Sequence, residues 1–235
     1  MTVKEVMSEL KKLGTEQTRK IWVNHGVTGE FFGVKIGDMK TVQKKIKHDH
    51  ALSLELYDTK NADAMYFAGL ISEPAKMSKE ELQHWAETST WQMLSEYTIA
   101  WATSESKYGH EMAMKWIKSK DERIASAGWS TYSCLLALKK DEELNVKEIE
   151  ELLENIKKNI HKMPNRVKYT MNTFVISVGS YIKALTKKAK AIAKEIGDVE
   201  VNVGNTACKI PYAVTYIEKV EARGSIGKKK KTVFC

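Results

Sequence analysis

The residues best placed to do chemistry gather in the middle of the chain. Trp91, Ser95, Glu96 and Trp101 fall within three helical turns of one another, with Glu105 close behind and Asp121 and Glu122 opening a later segment. An indole facing a groove can contact a sugar or a cationic base through its π face, whereas an indole at core spacing simply packs. An exposed helix carboxylate is ordinarily a solvated charge, so a catalytic role needs a second group at a defined spacing. No such spacing is present: there are no paired acids, no nucleophile elbow and no phosphate-cradling glycine loop. His25, His48, His50, His84, His110 and His161 are scattered, which leaves no metal constellation. Cys134, Cys208 and Cys235 are odd in number and lack a C-x-x-C pair, so they read as reduced thiols rather than a disulfide framework or zinc site. No cofactor is indicated.

The elements that must position these residues are helices. Trp91, Leu94, Tyr97, Thr98 and Trp101 recur at helical spacing, and Ser89 followed by Gln92 predicts a capping box at the start of that helix. Thr2 with Glu5, and Ser78 with Glu81, are stronger boxes. The first opens a helix over 3–13 that ends at Gly14, and the second carries Met77 and Leu82 as a hydrophobic staple. Further patterns predict helices from Thr15 towards Gly26, from Asp38 to Lys47, over 50–57, 62–72, 108–117 and 122–138, after Asn145, over 166–185, and over 211–220. Only residues 199–204 alternate like a strand or an extended loop. The glycine-punctuated Arg223–Lys231 stretch reads as a flexible basic tail, which separates a single helical domain over 1–222 from residues 223–235. About a dozen short helices on short loops, without sustained heptads, predict an all-α fold of antiparallel pairs stacked as an α-solenoid, with a compact irregular bundle as the alternative.

Composition narrows the partners. With 43% hydrophobic residues the chain can pack a core, yet no apolar run reaches the roughly 20 residues of a spanning helix. The first residues open straight into a charged amphipathic pattern, so a cytoplasmic, membrane-free monomer is expected. A formal charge of +8 favours a polyanion such as nucleic acid. The cations cluster at Lys35, Lys40, Lys44, Lys45 and Lys47, at Lys157, Lys158, Lys162, Arg166 and Lys168, and again at Lys183–Lys194. A curved stack could bring them to one concave face, where each phosphate contact adds salt-sensitive affinity.

Several stretches resemble one family, the DNA alkylation repair proteins built from HEAT-like repeats (AlkD-like DNA glycosylases). They are the Phe31-Phe32-Gly33-Val34 loop before a basic helix, the Thr88–Glu96 helix start, residues 121–138 and the Gly224–Lys231 ending. The resemblance implies an α-solenoid whose basic cleft holds double-stranded DNA. It also implies that active members hydrolyse the N-glycosidic bond of cationic 3-methyl- or 7-methylpurines. An aspartate and two tryptophans would contact the lesion's backbone and sugar, stabilising an oxocarbenium-like charge. Trp91 matches the first tryptophan, the aspartate position falls on Ser95, and the second tryptophan falls on Phe174. A serine carries no charge, and in an active protein Glu96 beside it, turned about 100° along the helix from Ser95, would be the surrogate carboxylate. The expected catalytic set is therefore Glu96, Trp91 and Ser95, and the expected DNA contacts are Trp91, Phe174, Lys35, Lys40, Lys44, Arg166 and Lys168. Two functional readings result, a glycosylase acting on alkylated DNA and a non-catalytic member that binds damaged or branched DNA. A peptide-binding scaffold is a third.

Overall fold

Helical periodicity accounts for most elements, and side-chain caps open seven of the α-helices. The computed structural model describes residues 1–234, which form thirteen α-helices, a few 3₁₀ turns and one π turn, with no strand among them. The helices are α1 (Val3–Leu13), α2 (Glu16–Asn24), α3 (Ile36–Ile46), α4 (His50–Asp58), α5 (Ala62–Ile71), α6 (Lys79–Thr88), α7 (Ala100–Ser104), α8 (Gly109–Trp116), α9 (Glu122–Leu138), α10 (Val146–Asn159), α11 (Asn165–Tyr181), α12 (Thr186–Ile196) and α13 (Ala213–Ala222). The π turn, Leu94–Ile99, runs directly into α7. Both strong capping boxes form, Thr2 with Glu5 and Ser78 with Glu81, and Asn145 caps α10 through the Glu148 N–H.

Three boundaries depart from the sequence pattern, two of them where a contact distant from the local signal intervenes. The Ser89 hydroxyl bonds the Ser95 hydroxyl at 2.8 Å, and Gln92 donates to the His25 carbonyl, so no Ser89–Gln92 box forms. The third helix starts at Ile36 rather than Asp38, with Lys35 making no side-chain cap. The long helix ends at Tyr181: Ile182 is extended, and the Thr186 hydroxyl donates to the Gly179 carbonyl at 2.9 Å while a new helix begins. Residues 199–204, expected as a strand or an extended loop, are an extended loop.

The helices form two layers. α5, the π turn with α7, α9, α11 and α13 pack one against the next as an inner row, while α4, α6, α8, α10 and α12 lie outside them. Their compositions differ accordingly. All ten residues of α5 are buried, and α9 and α11 carry small residues and hydroxyls, whereas α10 and α12 show one apolar stripe and a charged outer face. Gly128 illustrates the close approach, because a Cβ there would lie 2.6 Å from the Ile117 nitrogen. Two hydrophobic cores meet at α9, one running from α1 to Ala127 and the other from Ala113 to Ile217. The stack is an α-solenoid of antiparallel helix pairs.

Residues 224–234, expected from composition to be a flexible tail, lie across the ends of the inner helices. The Gly227 N–H donates to Ser180, the Lys230 N–H to Ala137, and the Lys229 ammonium sits on the Leu136 carbonyl at 2.9 Å and Asp141 at 2.8 Å. Lys229 thus supplies a cation to the carbonyl end of α9, where the helix dipole favours one. Beyond it, Thr232 and Val233 bond Glu105, and Phe234 packs on Trp101. Cys235 lies outside the described residues.

At the other end, buried Asp63 accepts from the N–H groups of Phe32 at 2.5 Å, Gly33 at 3.1 Å and Val34 at 2.7 Å. This clamp holds the loop that sets the start of α3. Burial pushes the Asp63 carboxyl up, against the pull of those three donors. Asp63→Ala strands three backbone donors and should cost about 3 kcal/mol or more. A lowered urea midpoint with unchanged m would show it.

Candidate nucleic-acid groove

α11 turns a line of polar side chains to one side. Arg166, Tyr169, Thr173, Ser177 and Tyr181 succeed one another at three- and four-residue steps and so share a face. That face is the floor of a groove with three joined compartments of about 490, 350 and 430 Å³. The first lies between α11 and the residues Gln92, Met93 and Tyr97, and is roofed by the 202–210 loop. That loop reaches the N-terminal helices: Gly204, at φ 72°, lies so near the Asn24 carbonyl oxygen that a Cβ would collide with it. Tyr97 and Tyr169 border both the first and second compartments, and Tyr181, Tyr216 and Lys230 both the second and third.

Glu96 lies in the wall of the second compartment with its side chain only 3% exposed. Both of its oxygens are taken by one guanidinium. Arg166 donates from Nε to Oε1 at 2.7 Å and from Nη2 to Oε2 at 2.6 Å. The guanidinium carbon stands 4.4 Å from the Tyr169 ring centre, and the Arg166 backbone N–H donates to Glu122 at 2.5 Å. The π turn accommodates an extra residue and so rotates the residues after it relative to an α-helix. Ser95 consequently turns to Ser89 while Glu96 reaches α11. Burial pushes the Glu96 carboxyl up, and the Arg166 guanidinium pulls it back. The geometry is that of a counter-ion: a fork-to-fork pair leaves the carboxylate no oxygen aimed into the groove. Burial likewise pushes the Tyr97 and Tyr169 phenols up, so both keep their protons at neutral pH and can donate hydrogen bonds.

The residues expected from sequence are spread over several places. Trp91 is 4% exposed, packs on Trp22 at 4.7 Å between ring centres and donates from Nε1 to the His25 carbonyl at 3.0 Å. Phe174 is fully buried against Trp129 and Tyr132 and does not line the groove. Ser95 is buried on Ser89. Lys35, Lys40 and Lys44 lie at the start of and along α3, and neither they nor Lys168 line the groove, whereas Arg166 and Glu96 do. The cations that line it are Lys209 from the 202–210 loop, Arg223 from the end of α13, and Lys228 and Lys230 from the C-terminal segment. Lys209 has no signal in sequence beyond net charge, whereas Arg223, Lys228 and Lys230 belong to the basic stretch that the sequence marks out as a tail. Tyr169 and Tyr181 do have a signal, a line of polar side chains at three- and four-residue steps along α11.

Cys134 and Cys208 are free thiols, and burial pushes Cys134 up to about 12. No helix among the described residues is long and apolar enough to cross a membrane.

A two-layer α-solenoid with a tyrosine- and cation-lined groove along its inner helices is the architecture of a HEAT-like repeat protein. The DNA alkylation repair enzyme family matches residues 6–217, and the chain belongs to that family. It is 35% identical over 229 residues to the uncharacterized proteins Lin0241 of Listeria innocua and Lmo0209 of Listeria monocytogenes, covering 95% of this chain and 99% of each of those. A solved structure, described as a new family of proteins related to the HEAT-like repeat DNA glycosylases with affinity for branched DNA structures, superposes with a TM-score of 0.92. The two chains share 43% identity, and each is covered completely.

Two outcomes test this geometry. Glu96→Gln leaves the largely buried Arg166 without its counter-ion and should lower stability by about 2–4 kcal/mol, whereas the Glu96→Gln, Arg166→Met double variant should recover much of that loss. Chemical denaturation of the three proteins measures it. With a thiol reagent at pH 8, peptide mapping should find Cys208 labelled well before Cys134, because only the thiolate reacts.

Proposed function

We propose that this protein binds branched DNA in the groove along α11 and does not hydrolyse the glycosidic bond. The observation that carries the reading is the Glu96–Arg166 pair. Glycosidic cleavage needs a negative group free to face the developing oxocarbenium charge. Here the carboxylate nearest the matched position is buried and doubly bonded, the matched position is Ser95, and Trp91 is committed to Trp22. Binding of DNA draws support from the solved structure at 43% identity, whose family is described as having affinity for branched DNA, and from the groove-lining cations Lys209, Arg223, Lys228 and Lys230. The segment that carries Lys228 and Lys230 acts, on this reading, as part of the binding surface.

The test pairs two assays. Alkylated duplex DNA incubated with the protein should release no free methylpurine. A labelled three-way junction should be bound with an affinity that falls steeply with salt. Arg223→Ala, Lys228→Ala and Lys230→Ala should each weaken binding and lower the salt slope by about one. Methylpurine release by the wild-type protein that Arg166→Met or Glu96→Gln alters would restore the glycosylase reading. Junction binding indifferent to salt would leave the peptide-scaffold reading.

A further inference from the structure

Cations would suffice for a surface that merely tracks phosphates, yet this groove is also aromatic from end to end. Tyr97, Tyr169, Tyr181 and Tyr216 line its three compartments, with hydroxyls of Ser130, Ser133, Thr173 and Ser177 between them. Tyr216, on the surface of α13, is 48% exposed and borders the second and third compartments, so its ring is accessible from the groove. Lys209 stands at the first compartment, Arg223 and Lys228 at the third, and Lys230 borders both the second and the third. Ion pairs among the described residues engage Lys229 and Lys190 nearby but none of these four.

The lining selects among nucleic acids. Trp101 and the tyrosines Tyr97, Tyr169, Tyr181 and Tyr216 all border the middle compartment of about 350 Å³. The bases of a duplex are already paired and stacked on one another, whereas those of a single strand are free to stack on such rings. Bases of any sequence stack on aromatic faces while the backbone tracks fixed cations. Arg166 and Tyr181 lie fifteen residues apart on one helix, which at 1.5 Å per residue gives a floor of about 22 Å. At 3.4 Å per nucleotide this holds about six stacked bases.

We propose that the groove binds an unpaired DNA strand, its bases stacked on Tyr169, Tyr181 and Tyr216 and its phosphates directed to Lys209, Arg223, Lys228 and Lys230. The strand opened at a branch is then what the protein recognises, and paired arms remain outside the groove. This rests on the DNA-binding reading above and adds the class of ligand that the groove takes.

The experiment measures fluorescence anisotropy with three labelled probes: a short oligothymidylate, an abasic oligomer of the same length, and a three-way junction. The wild-type protein should bind oligothymidylate about tenfold or more tightly than the abasic strand, since each stacked base contributes about 1–3 kcal/mol. Tyr216→Ala, which removes a surface ring, should weaken oligothymidylate binding by about 5- to 100-fold and leave the abasic strand unchanged. Tyr181→Leu, which keeps an apolar side chain at that half-buried position, should do the same. Equal affinity for the two single strands, or wild-type affinity in both variants, overturns the proposal. Tight junction binding without oligothymidylate binding overturns it too, while leaving the DNA-binding reading in place. Binding to none of the three probes overturns both.

Discussion

The inner row of helices is organised around one buried ion pair. Glu96 comes from the π turn and Arg166 from the first turn of α11, seventy residues later, and the two meet with both oxygens and two guanidinium nitrogens engaged. Such a pair gains little net stability, because desolvating the charges offsets most of their attraction. What it contributes is register. A one-residue slip of the Leu94–Ile99 segment would turn Glu96 away and leave Arg166 facing Tyr169 alone, so the π turn and the start of α11 are fixed together.

The pair also settles what the groove offers to a ligand. With Glu96 committed, no free carboxylate faces the floor between Tyr97 and Tyr169, and the fixed charge that reaches a ligand there is positive. Helices provide the aromatic and hydroxyl part of that surface, while most of its cations arrive on irregular segments, the 202–210 loop and the C-terminal residues. Lys229 explains how a lysine-rich stretch can be held in place. Its ammonium is consumed in capping the carbonyl end of α9, which presents its neighbours Lys228 and Lys230 to the groove.

Trp91 illustrates how two structural levels diverge. Its spacing correctly marks it as a buried residue at a helix start, but only the fold decides which neighbour it meets. Trp22 and the His25 carbonyl, both far away in sequence, hold the ring in the N-terminal core rather than in the groove. Phe174 behaves likewise, packed between Trp129 and Tyr132. Asp63 is the converse. It appears in sequence as an ordinary first-turn helix acid, yet it clamps three backbone donors of a loop thirty residues earlier.

Local chemistry alone determined the helix content of this protein. Periodic apolar residues, the Thr2 and Ser78 capping boxes and the Asn145 cap are complete within a few residues, so the all-α fold and the residues 3–13 and 122–138 of its helices are legible without any tertiary information. Net charge similarly indicates a polyanionic partner. Tertiary structure decided everything that depends on residues far apart in the chain: the break at Ile182, the π turn, the Glu96–Arg166 pair and the docking of residues 224–234. It also decided which of the many lysines reach the groove. A solvated lysine and a ligand-facing lysine have the same sequence signature, and they differ only in what the fold places opposite them.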